Sequence, residues 1–130
     1  MRWGIVPLRV VIGVIFLFHG AQKVFAMGHP AVARFLSRVG IPDARAAAVV
    51  VMAVEFVGGI ALILGAGTRV ASSLIAIEMV VALLVVHVKV GFAGPNGAEF
   101  PLTLLAGALT LALLGSGAAS VDALVRRRRG

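Results

Sequence analysis

Four apolar runs, each about as long as a bilayer's hydrocarbon core is thick, leave this chain of 130 residues few folding options. A spanning helix needs about 20 largely apolar residues at about 1.5 Å rise each. Windows at residues 5–25, 46–66, 70–88 and 100–118 meet that requirement. They are continuous runs, unlike the short alternating strands of an outer-membrane barrel. The expectation is an all-α integral membrane protein, a four-helix bundle forming one domain over residues 1–130. Composition closes the soluble route: only 13% of residues are charged, where a soluble domain carries roughly a quarter. The first run follows a basic residue, as in a signal peptide. It outlasts a secretory apolar region and more runs follow, so it reads as a retained first span.

Turn chemistry agrees with these windows. Pro42 and Asp43 suit the start of the second span, where a missing N–H is harmless and a carboxylate favours the helix dipole. Gly65, Ala66, Gly67, Thr68 and Arg69 form a stop and restart, with glycine ending span two and Thr68 capping span three. So short a link makes spans two and three antiparallel neighbours. Gly94, Pro95, Asn96 and Gly97 form a turn, Glu99 suits the start of span four, and Pro101 falls in its first turn. Small residues allow close helix approach at Gly58 and Gly59, at Ser72, Ser73 and Ala76, and at Gly107, Ala108 and Ala112.

Residues 30–39 are too short to span. Val32, Phe35, Leu36 and Val39 recur at helical spacing with Arg34 and Arg38 between them, which predicts a short amphipathic helix at the interface between spans one and two. It sits in the longest loop, where a partner or lid would act, although a connector that lies at the interface because it is amphipathic is the stronger reading of the same pattern.

The net charge of +7 does not indicate nucleic acid, because four of the twelve basic residues form the tail at 126–129 and the rest are scattered singly. A polybasic stretch after a span is a topology signal in contact with anionic lipid headgroups. It places the tail, Arg2 and Arg69 on the cytoplasmic side of the bacterial inner membrane, with both termini inside. The absence of cysteine excludes disulfides, a CxxC redox pair, thiolate iron–sulfur ligation and c-type haem attachment within this chain. No metal site is expected.

The informative residues are the charges inside the apolar windows, each costing about 2.5–3.5 kcal/mol at mid-membrane and therefore turned inward. Glu55 and Glu78 lie about 12–14 Å along spans two and three, at similar depth from opposite ends. Two ionised carboxylates there repel, so one is protonated or cations answer them. Arg9 on span one is the expected cation. At about 100° per residue, Arg9, Gly13, Phe16, Gly20 and Lys23 fall within about 40° of one line, with His19 to one side. Three readings stay open. Arg9, Glu55 and Glu78 form an ion network that only stabilises the bundle. Or Arg9, His19, Lys23, Glu55 and Glu78 line a polar pocket for a quinone or another amphiphile, a role that a histidine suits. The thinnest is a b-type haem between His19 and His87, since two histidines at one end are a weak signal.

Leu8, Arg9, Phe16, His19, Gly20, Gln22, Lys23 and Phe25 together resemble the opening of the DoxX family of small bacterial membrane proteins. So do Glu55, Phe56, Val57, Gly58 and Gly59, then Leu64, Gly65, Thr68 and Arg69, and the turn at 94–97 followed by Glu99 and Phe100. The resemblance implies a four-span inner-membrane accessory or anchoring subunit of an oxidoreductase system. The family is named after a subunit associated with a thiosulfate:quinone oxidoreductase or terminal quinol oxidase. Arg9, His19, Gln22, Lys23, Glu55 and Arg69 match its recurrent polar positions, Glu78 and His87 less clearly. It implies membrane lipids and a soluble or membrane oxidoreductase as partners, and does not make this chain an enzyme by itself.

Overall fold

Apolar runs whose prolines, Pro7 and Pro101, fall in a first turn satisfy their backbone most simply as helices, and the computed structural model, which describes residues 3–95 and 97–129, is all helical in its regular elements. Helix α1 spans Ile5–Ala21 and runs on as a π-helical stretch, Gln22–Met27. Helix α2 (His29–Arg38) follows, then α3 (Ala44–Leu64) and α4 (Thr68–Ala82), which also continues as a π-helix, Leu83–His87. Helix α5 is Glu99–Leu114 and α6 is Val121–Arg129. Arg2 and Asn96, used above for orientation and for a turn, lie outside the described residues.

Helix α1 packs along α3, α3 on α4, α4 on α5, and α5 returns to α1, closing a four-helix ring. Its core joins Ile12 and Phe16 of α1, Leu62 of α3, Ile75 of α4, and Leu104 and Leu111 of α5. The outer faces carry Val57, Ile77, Leu84 and Leu113, all exposed, as a lipid-facing surface requires. Helix α2 lays Val32 and Ala33 against Ala48 of α3, so the amphipathic segment does fold as a helix.

Ile5–Met27, Ala44–Leu64 and Thr68–His87 are long and apolar enough to cross a membrane. The fourth run departs from expectation. Its helix stops at Leu114, not 118, and its 16 residues reach only about 24 Å. Gly115 ends it at φ +82°, and Gly117 and Ala119 also take positive φ, so the chain leaves the helical path. Ser116, Ala118 and Ser120 are nevertheless buried. Non-helical backbone is tolerated beside lipid when protein satisfies its carbonyls, and Arg9 does so, as described next.

The stop and restart fall where expected, with Gly65 and Gly67 left-handed at φ +68° and +60°. Thr68 does not cap α4, since Gly67 occupies the cap position without a side-chain bond of its own. Asp122 of α6 fills the role from across the chain, its carboxylate accepting from Gly67 N–H at 2.8 Å and Thr68 N–H at 3.0 Å. Burial pushes the Asp122 carboxyl up, but the two N–H bonds and the nearby Arg126 charge outweigh it and hold the group below the usual aspartate value.

Candidate functional site

Glycines on one face of α1 let its backbone approach α3 closely. A Cβ at Gly13 would stand 2.9 Å from the Gly59 carbonyl oxygen, and one at Gly20 would collide with the backbone of Phe56. Gly59 in turn abuts the backbone of Leu17. This contact turns the Arg9, Gly13, Phe16 and Gly20 face of α1 inward, and all four residues are buried.

Three residues beyond Gly20, the Lys23 ammonium lies 2.6 Å from Glu55 Oε1, with the side chains 23% and 7% exposed. Lys23 belongs to the π-helical stretch, a form often found at functional sites. Glu78 reaches the same region from α4 and interacts electrostatically with both Glu55 and Lys23. Both of its carboxyl oxygens are buried without a hydrogen-bond partner among the described residues. His19, one turn before Lys23, is half-buried, within electrostatic reach of Lys23 and Glu55, with its ring edge-on to Phe18 at 5.8 Å. Phe25 and Phe56 meet edge to face at 6.0 Å beside the ion pair, and Phe25 is largely exposed on the outer face.

Arg9 stands apart from this group. Its Nε donates to Leu62 O at 2.9 Å, one terminal nitrogen to Ser116 O at 2.6 Å and Ala118 O at 3.1 Å, and the other to Ala119 O at 2.9 Å. The guanidinium, 1% exposed, therefore joins the end of α3 to the segment after α5. Sequence spacing makes Arg9 the cation for the two carboxylates; the structure gives that place to Lys23, because Arg9 lies about four turns lower on α1. Lys23 was legible as a member of the same helical line, though not as the partner of Glu55. Asp122 carries no local signal, since its partners lie more than fifty residues away.

Lys23, Glu55, Glu78 and His19 thus make a polar cluster inside an apolar bundle, with donors (Lys23), acceptors (Glu55), and two carboxyl oxygens of Glu78 without a partner among the described residues. Such a set can hold a polar headgroup and exchange protons with it.

Residues 4–88 match the DoxX family. "Putative oxidoreductase CatD" of Bacillus subtilis is 34% identical over 122 residues, covering 94% of this chain and 87% of its own. "Uncharacterized membrane protein Rv3486" of Mycobacterium tuberculosis is 32% identical over 135 residues, covering 95% and 82% respectively. No solved structure matches the chain. The family match takes in α1, α3 and α4, the helices that bring Lys23, Glu55 and Glu78 together, and the chain belongs to the DoxX family.

Proposed function

We propose that this chain is an inner-membrane accessory or anchoring subunit of an oxidoreductase system, and that it holds a quinone headgroup at Lys23, His19, Glu55 and Glu78. The observation that carries the reading is the Lys23–Glu55 pair beside the Glu78 carboxyl, whose oxygens are buried with no hydrogen-bond partner among the described residues. One ammonium facing two carboxyls leaves a charge that the apolar surroundings balance with a proton on the carboxyl pair. The cluster then offers Lys23 as hydrogen-bond donor to a carbonyl oxygen and the carboxyl pair as proton store. His19, half-buried one turn from Lys23, adjoins it on α1. Exposed Phe18 and Phe25 extend the same side into lipid, where an isoprenoid tail would lie.

A quinone supplies a two-electron, two-proton couple, and the electrons come from a partner enzyme. The name of the Bacillus subtilis relative supports that association. Arg69 and the basic α6 lie at one end of the bundle, lining a common cleft with Arg126, which favours that end as cytoplasmic.

A second reading has an observation of its own. The four carbonyl bonds of Arg9 are structural, and a non-catalytic structural or regulatory membrane protein would use Lys23–Glu55 in the same way. A mass-spectrometric inventory of proteins and lipids co-purifying from native membranes in mild detergent separates the two. Stoichiometric quinone retained by the native chain and lost in a folded Glu55→Gln variant is the expected result. An intact bundle accompanied by phospholipid alone overturns the quinone reading in favour of the structural one.

A further inference from the structure

The end of the bundle opposite the Gly65 turn carries a cleft of about 570 Å³ between α2 and the start of α3. Its lining includes His29, Arg34 and Ser37 of α2, Asp43 before α3, and Arg45 in the first turn of α3. Two contacts fix its width. Val32 and Ala33 pack on Ala48 beneath it, and the His29 Nε2–H donates to the Arg45 carbonyl at 2.8 Å across it.

The polar lining is not self-satisfied. No carboxylate of the described residues ion-pairs with Arg34 or Arg45, although Asp43 shares the cleft with them. Two guanidiniums against one carboxylate leave the lining positive. Arg34 and Ser37 are one turn apart on α2, so a guanidinium fork and a hydroxyl point from the same face. A cationic cleft formed from two arginines and a hydroxyl suits a planar or tetrahedral oxyanion, because each guanidinium can donate two parallel N–H bonds. Its position at the first turn of a span is the depth at which the headgroup layer meets the hydrocarbon.

We propose that this cleft is a binding site for a phosphate-class oxyanion, held by Arg34, Arg45 and Ser37. The phosphate belongs either to a membrane phospholipid or to a free solute, and the site is separate from the Lys23–Glu55 cluster, deeper in the bundle.

The full-length protein in phosphatidylcholine nanodiscs is titrated with inorganic phosphate and followed by phosphorus NMR. In parallel, native mass spectrometry counts phosphatidylglycerol retained from doped bilayers. One saturable phosphate, or one retained phosphatidylglycerol, is expected. Arg34→Gln combined with Arg45→Gln weakens it by at least about tenfold. Arg38→Gln, on the same helix but outside the cleft, leaves it unchanged, and Asp43→Asn tightens it by removing the opposing charge while keeping a residue that tolerates left-handed φ. Saturable phosphate binding identifies a free oxyanion as occupant; lipid retention without it identifies a headgroup. Failure of the native protein to bind either, or equal binding by the double variant with native helicity, overturns the proposal.

Discussion

Replacing Arg9 by leucine removes a side chain that bonds both the end of α3 and the segment after α5. Four bonds are lost: the carbonyls of Ser116, Ala118 and Ala119 lose the guanidinium as donor, and Leu62 O is left with the Gly65 N–H at 3.2 Å. Side-chain hydrogen bonds in membrane proteins average about 0.6 kcal/mol and reach about 1.7. Four such bonds bracket a loss of about 2–7 kcal/mol. Relief of the guanidinium's own burial cost brings the expected value to about 3 kcal/mol. Arg9→Lys keeps the charge, but one compact ammonium cannot serve acceptors spread around a planar fork, so about half the loss remains. The assay is reversible unfolding in mixed micelles, read by helicity against the mole fraction of denaturing detergent. Trypsin cleavage within residues 126–129 under native conditions adds a local readout, because Arg126 bonds to Gly117 O and Ser116 Oγ in the segment that Arg9 holds. Arg9→Leu unfolding within about 0.5 kcal/mol of the native protein, with the tail still resistant, would refute the structural assignment. Unchanged stability with loss of a co-purifying quinone would move Arg9 into the ligand site.

At the polar cluster, Lys23→Met strands the buried Glu55 carboxylate and is expected to destabilise by about 2–4 kcal/mol, Glu55→Gln strands the partly exposed Lys23 and should cost less, and the double variant costs less than their sum; strict additivity in the same unfolding assay would show the 2.6 Å pair to be energetically idle. Gly20→Ala drives a methyl into the Phe56 backbone and is expected to cost about 1–3 kcal/mol. It should also reduce any quinone retention, because the α1–α3 approach aligns Lys23 with Glu55, and a native-like Gly20→Ala protein would argue against that coupling. Asp122, with its folded-state value depressed, contributes stability that is fully present above the unfolded value of about 3.9 and is lost as pH falls through the folded one. Docking of α6, followed by protease or hydrogen exchange, should therefore be flat from neutral pH to about 5 and loosen below about 4, whereas Asp122→Asn should lose about 1 kcal/mol at neutral pH and show no acid step.

The chain's class, its helical segments and most of their ends were legible because they depend on local quantities. Run length against bilayer thickness identifies the spans, the left-handed preference of Gly65 marks the α3–α4 break, and Val32, Leu36 and Val39 at helical spacing mark α2. The inward placement of Glu55 was equally legible, since an ionisable group in an apolar run has no affordable outward position. Tertiary structure alone decided which cation meets which carboxylate, where α5 stops, and what caps α4. Lys23 reaches Glu55 because Gly13 and Gly20 let α1 slide against Gly59 and Phe56 at one particular rotation. Helix α5 can end at Leu114 because a guanidinium more than a hundred residues earlier serves as donor to the carbonyls beyond it. Asp122 caps a helix more than fifty residues before it. A backbone group accepts any donor brought within about 3 Å. Which donor arrives depends on helix rotation and separation, and these follow from long-range contact rather than from the local run of residues.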